Sequence, residues 1–235
     1  MAEIDADHQR LSWLFARGAI VKIDGLREPE HAAAAAAAGA DLIGFIFAPA
    51  RRQVTAAVAR SCIAAARAAS PERPVLAVGV FVDASPSEMA RVALETGVDA
   101  LQLHGAEPPE SLRHLPVPAL KALRPRPGTN AAQVRAEIDR YQSSLQPPLG
   151  ILVDGYSEEF AGGTGARADW RLAAEIGATV PIILAGGLDP DNVGAAIRQV
   201  HPLGVDVSSG VEIDGVKDAS RIEAFIRAAR KAFQE

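Results

Sequence analysis

Cysteine is almost absent from this chain: Cys62 is the sole example in 235 residues. No intramolecular disulfide is therefore available, and the position of the thiol in the helical run 58–69 suits a small buried hydrophobe. A reducing compartment fits that usage. Long apolar runs are missing too. Nothing approaches the ~18 residues that a membrane-spanning helix needs, and the N-terminus has neither the basic start nor the apolar stretch of a secretory signal. A cytoplasmic protein, neither exported nor inserted, is the expectation. A basic excess is likewise lacking. With 24 Lys and Arg against 29 Asp and Glu the formal net charge is -5, which leaves no electrostatic footprint for nucleic acid or an anionic membrane surface. A small anionic ligand would need a site built locally.

What is present is apolar substance. Hydrophobic residues make up 49% of the chain, and its length is close to the about 250 residues at which (β/α)8 barrels fold as one domain. Short aliphatic runs alternate with Ala-rich helical patterns. Strands are read at 19–23, 42–47, 76–82, 100–103, 119–123, 150–153, 182–185 and 205–207, and helices at 28–38, 54–69, 86–96, 131–142, 190–200 and 219–233. The strands show little polar alternation, so both faces are expected to be buried, one in a barrel interior and one beneath helices. Several helices open on capping residues or proline and stop at glycine, as at Gly39, Gly97 and Gly177. Eight strand-then-helix repeats predict an α/β fold of the (β/α)8 TIM-barrel class, occupying 19–235 as a single domain. Residues 1–18 form an N-terminal extension, either an amphipathic helix around Leu11, Trp13, Leu14 and Phe15 or a tail.

In such a barrel the chemistry gathers where strands end. Asp24 follows the first strand and Asp154 the sixth, so both carboxyl groups can enter one mouth as acid–base candidates; the bland alternative is an Asx-turn or helix cap. After strands six, seven and eight come Gly163, Gly165, Gly186, Gly187, Ser208, Ser209 and Gly210. Such small residues let backbone N–H groups approach an anion, and they are the predicted phosphate site. Arg52 offers a planar fork for a carboxylate or second phosphate, with Arg51 as its competitor. His104 either orients substrate or satisfies core hydrogen bonds. Lys217, Asp83 and Lys121 are read as structural.

These segments resemble a known family. Val-Lys-Ile-Asp-Gly-Leu (21–26), Gly-Ala-Asp-Leu-Ile-Gly-Phe-Ile-Phe-Ala-Pro (39–49), Val-Gly-Val-Phe-Val (78–82) and Leu-Gln-Leu-His-Gly (101–105) are similar to phosphoribosylanthranilate isomerase of tryptophan biosynthesis. So are Leu-Val-Asp-Gly-Tyr (152–156), Gly-Gly-Thr-Gly (162–165), Ile-Leu-Ala-Gly-Gly-Leu (183–188) and Val-Asp-Val-Ser-Ser-Gly-Val-Glu (205–212). The matches run in order through all eight units. The resemblance implies an Amadori rearrangement of a phosphoribosylamine without metal or organic cofactor. It puts Asp154 on the family's general acid, Arg52 on the arginine that meets the anthranilate carboxylate, and the strand seven and eight loops on the phosphate site.

One departure matters. The family pattern reads Lys-Ile-Cys-Gly with the cysteine as general base, and this chain has Asp24 there. The loop before Arg52 is about one residue short and carries Gln53 in place of a common aromatic. A carboxylate near ~3.9 is ionised at neutral pH, whereas a thiol near ~8.5 must first be activated, so aspartate is a chemically tolerable base. The related isomerase of histidine biosynthesis uses an aspartate pair across its barrel mouth. A sibling isomerase on another phosphoribosylamine and a non-catalytic phosphosugar-binding barrel remain open alternatives. The expected partner is a small phosphoribosyl substrate, and monomer and homodimer are equally open.

Overall fold

The computed structural model describes residues 2–113, 115–156 and 168–235. Eight parallel strands stand in sequence order: β1 (Ile20–Ile23), β2 (Leu42–Ile46), β3 (Leu76–Phe81), β4 (Ala100–Leu103), β5 (Ala119–Leu123), β6 (Gly150–Val153), β7 (Ile182–Leu184) and β8 (Gly204–Val207). β8 pairs back onto β1 and closes the barrel. Helices α1 (Ala2–Arg17), α2 (Pro29–Ala37), α3 (Ala56–Ala69), α4 (Pro86–Thr96), α5 (Ala131–Gln142), α6 (Trp170–Gly177), α7 (Val193–Val200) and α8 (Ala219–Ala232) accompany them. A single 3-10 turn, Pro109–Leu112, stands between β4 and β5.

Local chemistry sets these limits. Thr55, Ser85 and Asp218 accept backbone N–H bonds at the starts of α3, α4 and α8, and Asn130 with Gln133 forms a reciprocal capping box on α5. Gly97 ends α4 in the left-handed region at φ 71°. Gly177 is the last residue of α6, as predicted, and Ala178 caps that helix in a right-handed conformation. Helix α7 starts at Val193, later than the expected 190, because the Asp189 carboxylate accepts from the backbone N–H of Asp191 and Asn192 and holds that stretch as a turn.

The core has two shells. Outward residues such as Val21, Ile43, Leu101, Ile151 and Val205 meet the helices. Inward residues Ile20, Leu42, Leu76, Val78, Ala100 and Leu120 fill the end where strands begin, joined there by Leu11 and Leu14 of α1. The extension is thus a helix that plugs the barrel floor. Phe15 enters beside Gly150, where an added Cβ would lie 2.3 Å from the ring. Arg17 pairs with Asp41 at 2.9 Å and Arg10 donates to the Pro74 carbonyl, tying the plug to the barrel wall.

Side chains on a strand repeat their direction every second residue. Two steps above Ile20 comes Lys22, then Asp24; above Leu42 comes Gly44; above Ala100 come Gln102 and His104; above Leu152 comes Asp154; above Gly204 comes Asp206. The interior therefore changes from aliphatic at the floor to polar at the C-terminal mouth.

Candidate active site

Two buried polar groupings occupy that mouth. In the first, Lys22 is 0% exposed and its Nζ lies 3.1 Å from Asp24 Oδ1 and 3.1 Å from Asp206 Oδ2. Lys22 and Asp206 stand opposite each other in the β1–β8 register, so the contact follows from the pairing itself. Burial disfavours ionisation of Asp24, but Lys22, helped by Lys217 and His104, reverses this and lowers its pKa below the usual 3.8. Asp206 goes the other way. Burial, with the charges of Asp24 and Asp154, outweighs Lys22 and pushes its carboxyl up to about 7.

In the second grouping, Gln102 Nε2 donates to His104 Nδ1 at 2.8 Å, and His104 Nε2 meets Asp154 Oδ2 at 3.1 Å. An amide NH2 can only donate, so this orientation leaves the imidazole proton on Nε2, aimed at Asp154. The other Asp154 oxygen accepts from the Gly155 N–H at 2.7 Å. Gly186, at φ 92°, passes so close that an added Cβ would sit 2.9 Å from Asp154 Oδ1 and 2.4 Å from the Gly155 nitrogen. Glycine is needed there to let the β7 loop close over Asp154.

Arg52 is the inward arginine of its pair. Its side chain is 5% exposed against 56% for Arg51. Arg52 Nε and Nη2 grip Glu212 at 2.5 and 2.8 Å, and Arg51 and Lys217 reach the same carboxylate at 2.8 and 3.1 Å. Gly25, at φ 70°, makes room: an added Cβ would lie 2.6 Å from Arg52 Cδ and 2.9 Å from Ser208 Oγ. Arg52, Asp24 and the β8 loop thus converge on one corner.

The predicted phosphate residues divide. Gly186 and Gly187 both hold positive φ after β7, and the Gly187 carbonyl accepts from Asn192. Ser208 directly follows β8, and Ser209–Val211 forms a 3-10 turn beyond it. Gly210 fits under the β7 loop, where an added Cβ would sit 1.9 Å from the Leu188 carbonyl oxygen. Gly163 and Gly165 lie outside the described residues.

Lys121 bonds the Leu103 and Gly105 carbonyls and Glu107, and Asp83 accepts from the Ala106 N–H; both serve the β4 loop. Lys217 is more than a strut. It donates to the Ser208 carbonyl at 2.7 Å, and its burial beside Arg52 lowers its pKa to about 8 despite Glu212. The sequence reading missed Gln102, Asp206 and Glu212 as site residues and gave Lys22 no role. Their signal was a charged or amide side chain at an inward position of an aliphatic strand, and, for Glu212, an Asp-Gly hairpin turn that folds Lys217 back against it. Among the described residues no His, Cys, Asp and Glu grouping has the makings of a metal site, and no helix is long and apolar enough to cross a membrane.

This geometry has known counterparts. A family model described as N-(5'phosphoribosyl)anthranilate (PRA) isomerase matches residues 21–228. The N-(5'-phosphoribosyl)anthranilate isomerase of Desulforudis audaxviator is 45% identical over 213 residues, covering 91% of this chain and 98% of that relative. Phosphoribosyl anthranilate isomerase from Thermotoga maritima superposes with a TM-score of 0.75 at 33% identity, covering 90% of this chain and 98% of the other. Another solved structure, a phosphoribosyl anthranilate isomerase in complex with reduced 1-(o-carboxyphenylamino)-1-deoxyribulose 5-phosphate, gives a TM-score of 0.73 at 32% identity, with 90% and 98% covered. With 208 of its 235 residues inside the matched span and the matched strands carrying both polar groupings, the chain belongs to the N-(5'-phosphoribosyl)anthranilate isomerase family.

Proposed function

We propose that this protein isomerises N-(5'-phosphoribosyl)anthranilate to 1-(2-carboxyphenylamino)-1-deoxyribulose 5-phosphate, the Amadori step of tryptophan biosynthesis, with Asp154 as general acid and Asp24 as general base. The observation that carries the reading is that both carboxylates are buried in one mouth, 7% and 8% exposed, with a different partner on each. Lys22 favours the ionised form of Asp24, as a base requires. Asp154 faces His104, and the acid form is one proton added to that pair.

In the acid form Asp154 protonates the furanose ring oxygen. The C1–oxygen bond breaks and the nitrogen lone pair forms the C1=N iminium. Asp24 removes the proton on C2, and the electron pair of that bond forms the C1=C2 enolamine. Transfer of a proton to C1 and loss of the O2 proton give the ketone. The phosphate is assigned to the Gly186-Gly187 and Ser208-Ser209-Gly210 loops, with Gly163 and Gly165 kept as candidates for it from the sequence. Arg52, steadied by Glu212, addresses the anthranilate carboxylate, and His104 positions Asp154. No step calls on a metal or an organic cofactor. One barrel supplies every residue used, so the reading holds for monomer and homodimer alike.

Asp154→Asn keeps the shape of the side chain and removes the acid. Turnover is expected to fall by at least about a hundredfold, the usual worth of a positioned general acid, while a reduced product analogue still binds. Near-full turnover in this variant refutes the acid assignment.

A further inference from the structure

The proposed reaction gives Lys217 no task, yet its side chain is only 4% exposed and touches both the β8 loop and the carboxylate that holds Arg52. Three acceptors surround its Nζ: the Ser208 carbonyl at 2.7 Å, the Ser208 hydroxyl at 3.4 Å and Glu212 Oε1 at 3.1 Å. An ammonium has three N–H bonds to give. Lys217 directs all of them at the protein and keeps none for a substrate.

The backbone it grips is unevenly satisfied. Ser208 leaves the strand at φ -120° and ψ -84°, and its carbonyl accepts from Lys217 and, at 3.4 Å, from the Val211 N–H. The Ser209 carbonyl accepts from the Glu212 N–H, and the Gly210 carbonyl from Arg221 Nε and Nη2 at 3.2 and 3.1 Å. All three carbonyls are occupied, whereas the N–H groups of Ser209 and Gly210 meet no acceptor among the described residues. Across a trans peptide the N–H points opposite to the C=O. Turning the Ser208 carbonyl toward Lys217 therefore turns the Ser209 N–H away from that cation.

We propose that Lys217 is a positioning residue for phosphate: by holding the Ser208 carbonyl it fixes the rotation of the peptide that joins Ser208 to Ser209, and so keeps the Ser209 and Gly210 N–H groups set for the phosphate of the substrate. The inference rests on the assignment of phosphate to this loop, made above, and adds the side chain that shapes it. Glu212 holds the ammonium in place, and through the same carboxylate the loop is joined to Arg52.

Two probes separate this role from a merely structural one: the reduced product analogue, and the same molecule without its phosphate. The wild type should prefer the phosphorylated probe by about a hundredfold, the worth of two N–H bonds to an anion. Lys217→Met should lose about tenfold or more of that preference while binding the dephosphorylated probe as the wild type does. Lys217→Gln, neutral and one bond shorter, should behave in the same way and serves where Lys217→Met does not fold. Gly210→Ala, whose added Cβ would lie 1.9 Å from the Leu188 carbonyl oxygen and push the loop aside, should lose the preference too. An undiminished preference in the Lys217 variants overturns the proposal, and so does an equal loss for both probes, the mark of a general loss of shape. Failure of the phosphate assignment itself looks different: the wild type would then bind both probes alike, or Gly210→Ala would keep the full preference, and the role of Lys217 falls with it.

Discussion

Glu212 is the most heavily contested carboxylate in the mouth, with Arg51, Arg52 and Lys217 all upon it. Burial works against its charge, but the hydrogen bonds from Arg52 and the field of Lys217 outweigh burial and bring its pKa to about 2 from the usual 4.5. A depressed carboxylate stabilises the fold above its unfolded pKa. That contribution is complete above about 4.5 and drains away as the pH falls toward about 2. Glu212→Ala removes the carboxylate that Arg52 and Lys217 share, and breaking such a buried pair costs about 3–5 kcal/mol. Urea unfolding at neutral pH should show a loss of that order, and the difference from wild type should shrink as the solution is acidified. A variant as stable as wild type at neutral pH would show that the cluster contributes nothing net. The same variant removes the two bonds by which Glu212 holds Arg52, so KM for a carboxylate-bearing substrate should rise more than kcat falls.

Residues of this kind were the hardest to read in advance. Asp24 and Asp154 were legible because each directly follows an aliphatic run and stands where a strand must end. Lys22, Gln102 and Asp206 sit within the runs, and only the closed barrel with its fixed register decides that they point inward to one another. Arg52 was legible as a candidate beside the mouth but not as the partner of Glu212, because that contact spans 160 positions of chain. Gly186 was read as a phosphate residue, and the geometry adds a second duty, the close approach to Asp154.

At the level of elements, the addition to the barrel is α1. Its Leu11 and Leu14 are 1% and 4% exposed against the interior floor. Leu14→Ala should cost about 2–5 kcal/mol, the range for a buried leucine, and removal of residues 1–18 should expose the floor to water and cost more still. Turnover measured well below the melting temperature should survive both changes, because the plug lies at the opposite end of the barrel from Asp24 and Asp154. Thermal melting and kinetics on the same samples check this; a plug variant that melts like the wild type contradicts the packing role. Helix and strand positions were legible almost throughout, since their patterning is local. The exceptions have physical causes. Pro190 looked like a helix start until the Asp189–Asn192 bonds are counted, and the β9 (Glu212–Ile213) and β10 (Val216–Lys217) hairpin was too short to register as periodicity. Helix α6 is marked in the sequence by its terminal glycine alone, Gly177.

The whole molecule divides its labour along the barrel axis. Aliphatic layers and α1 secure the floor, and the polar residues of successive inward positions gather at the mouth, where burial strengthens each charge interaction. The net charge of -5 gives the chain as a whole no general attraction for anions. On the proposed reading, affinity for a phosphorylated, carboxylate-bearing substrate comes from Arg52 and the β7 and β8 loops. The most direct test is steady-state turnover of N-(5'-phosphoribosyl)anthranilate by the wild type and by Asp24→Asn, side by side. Proton removal by Asp24 predicts that the wild type converts the substrate and that the variant loses at least about a hundredfold in kcat with KM little changed. Conversion by Asp24→Asn at a rate near the wild type's would contradict it.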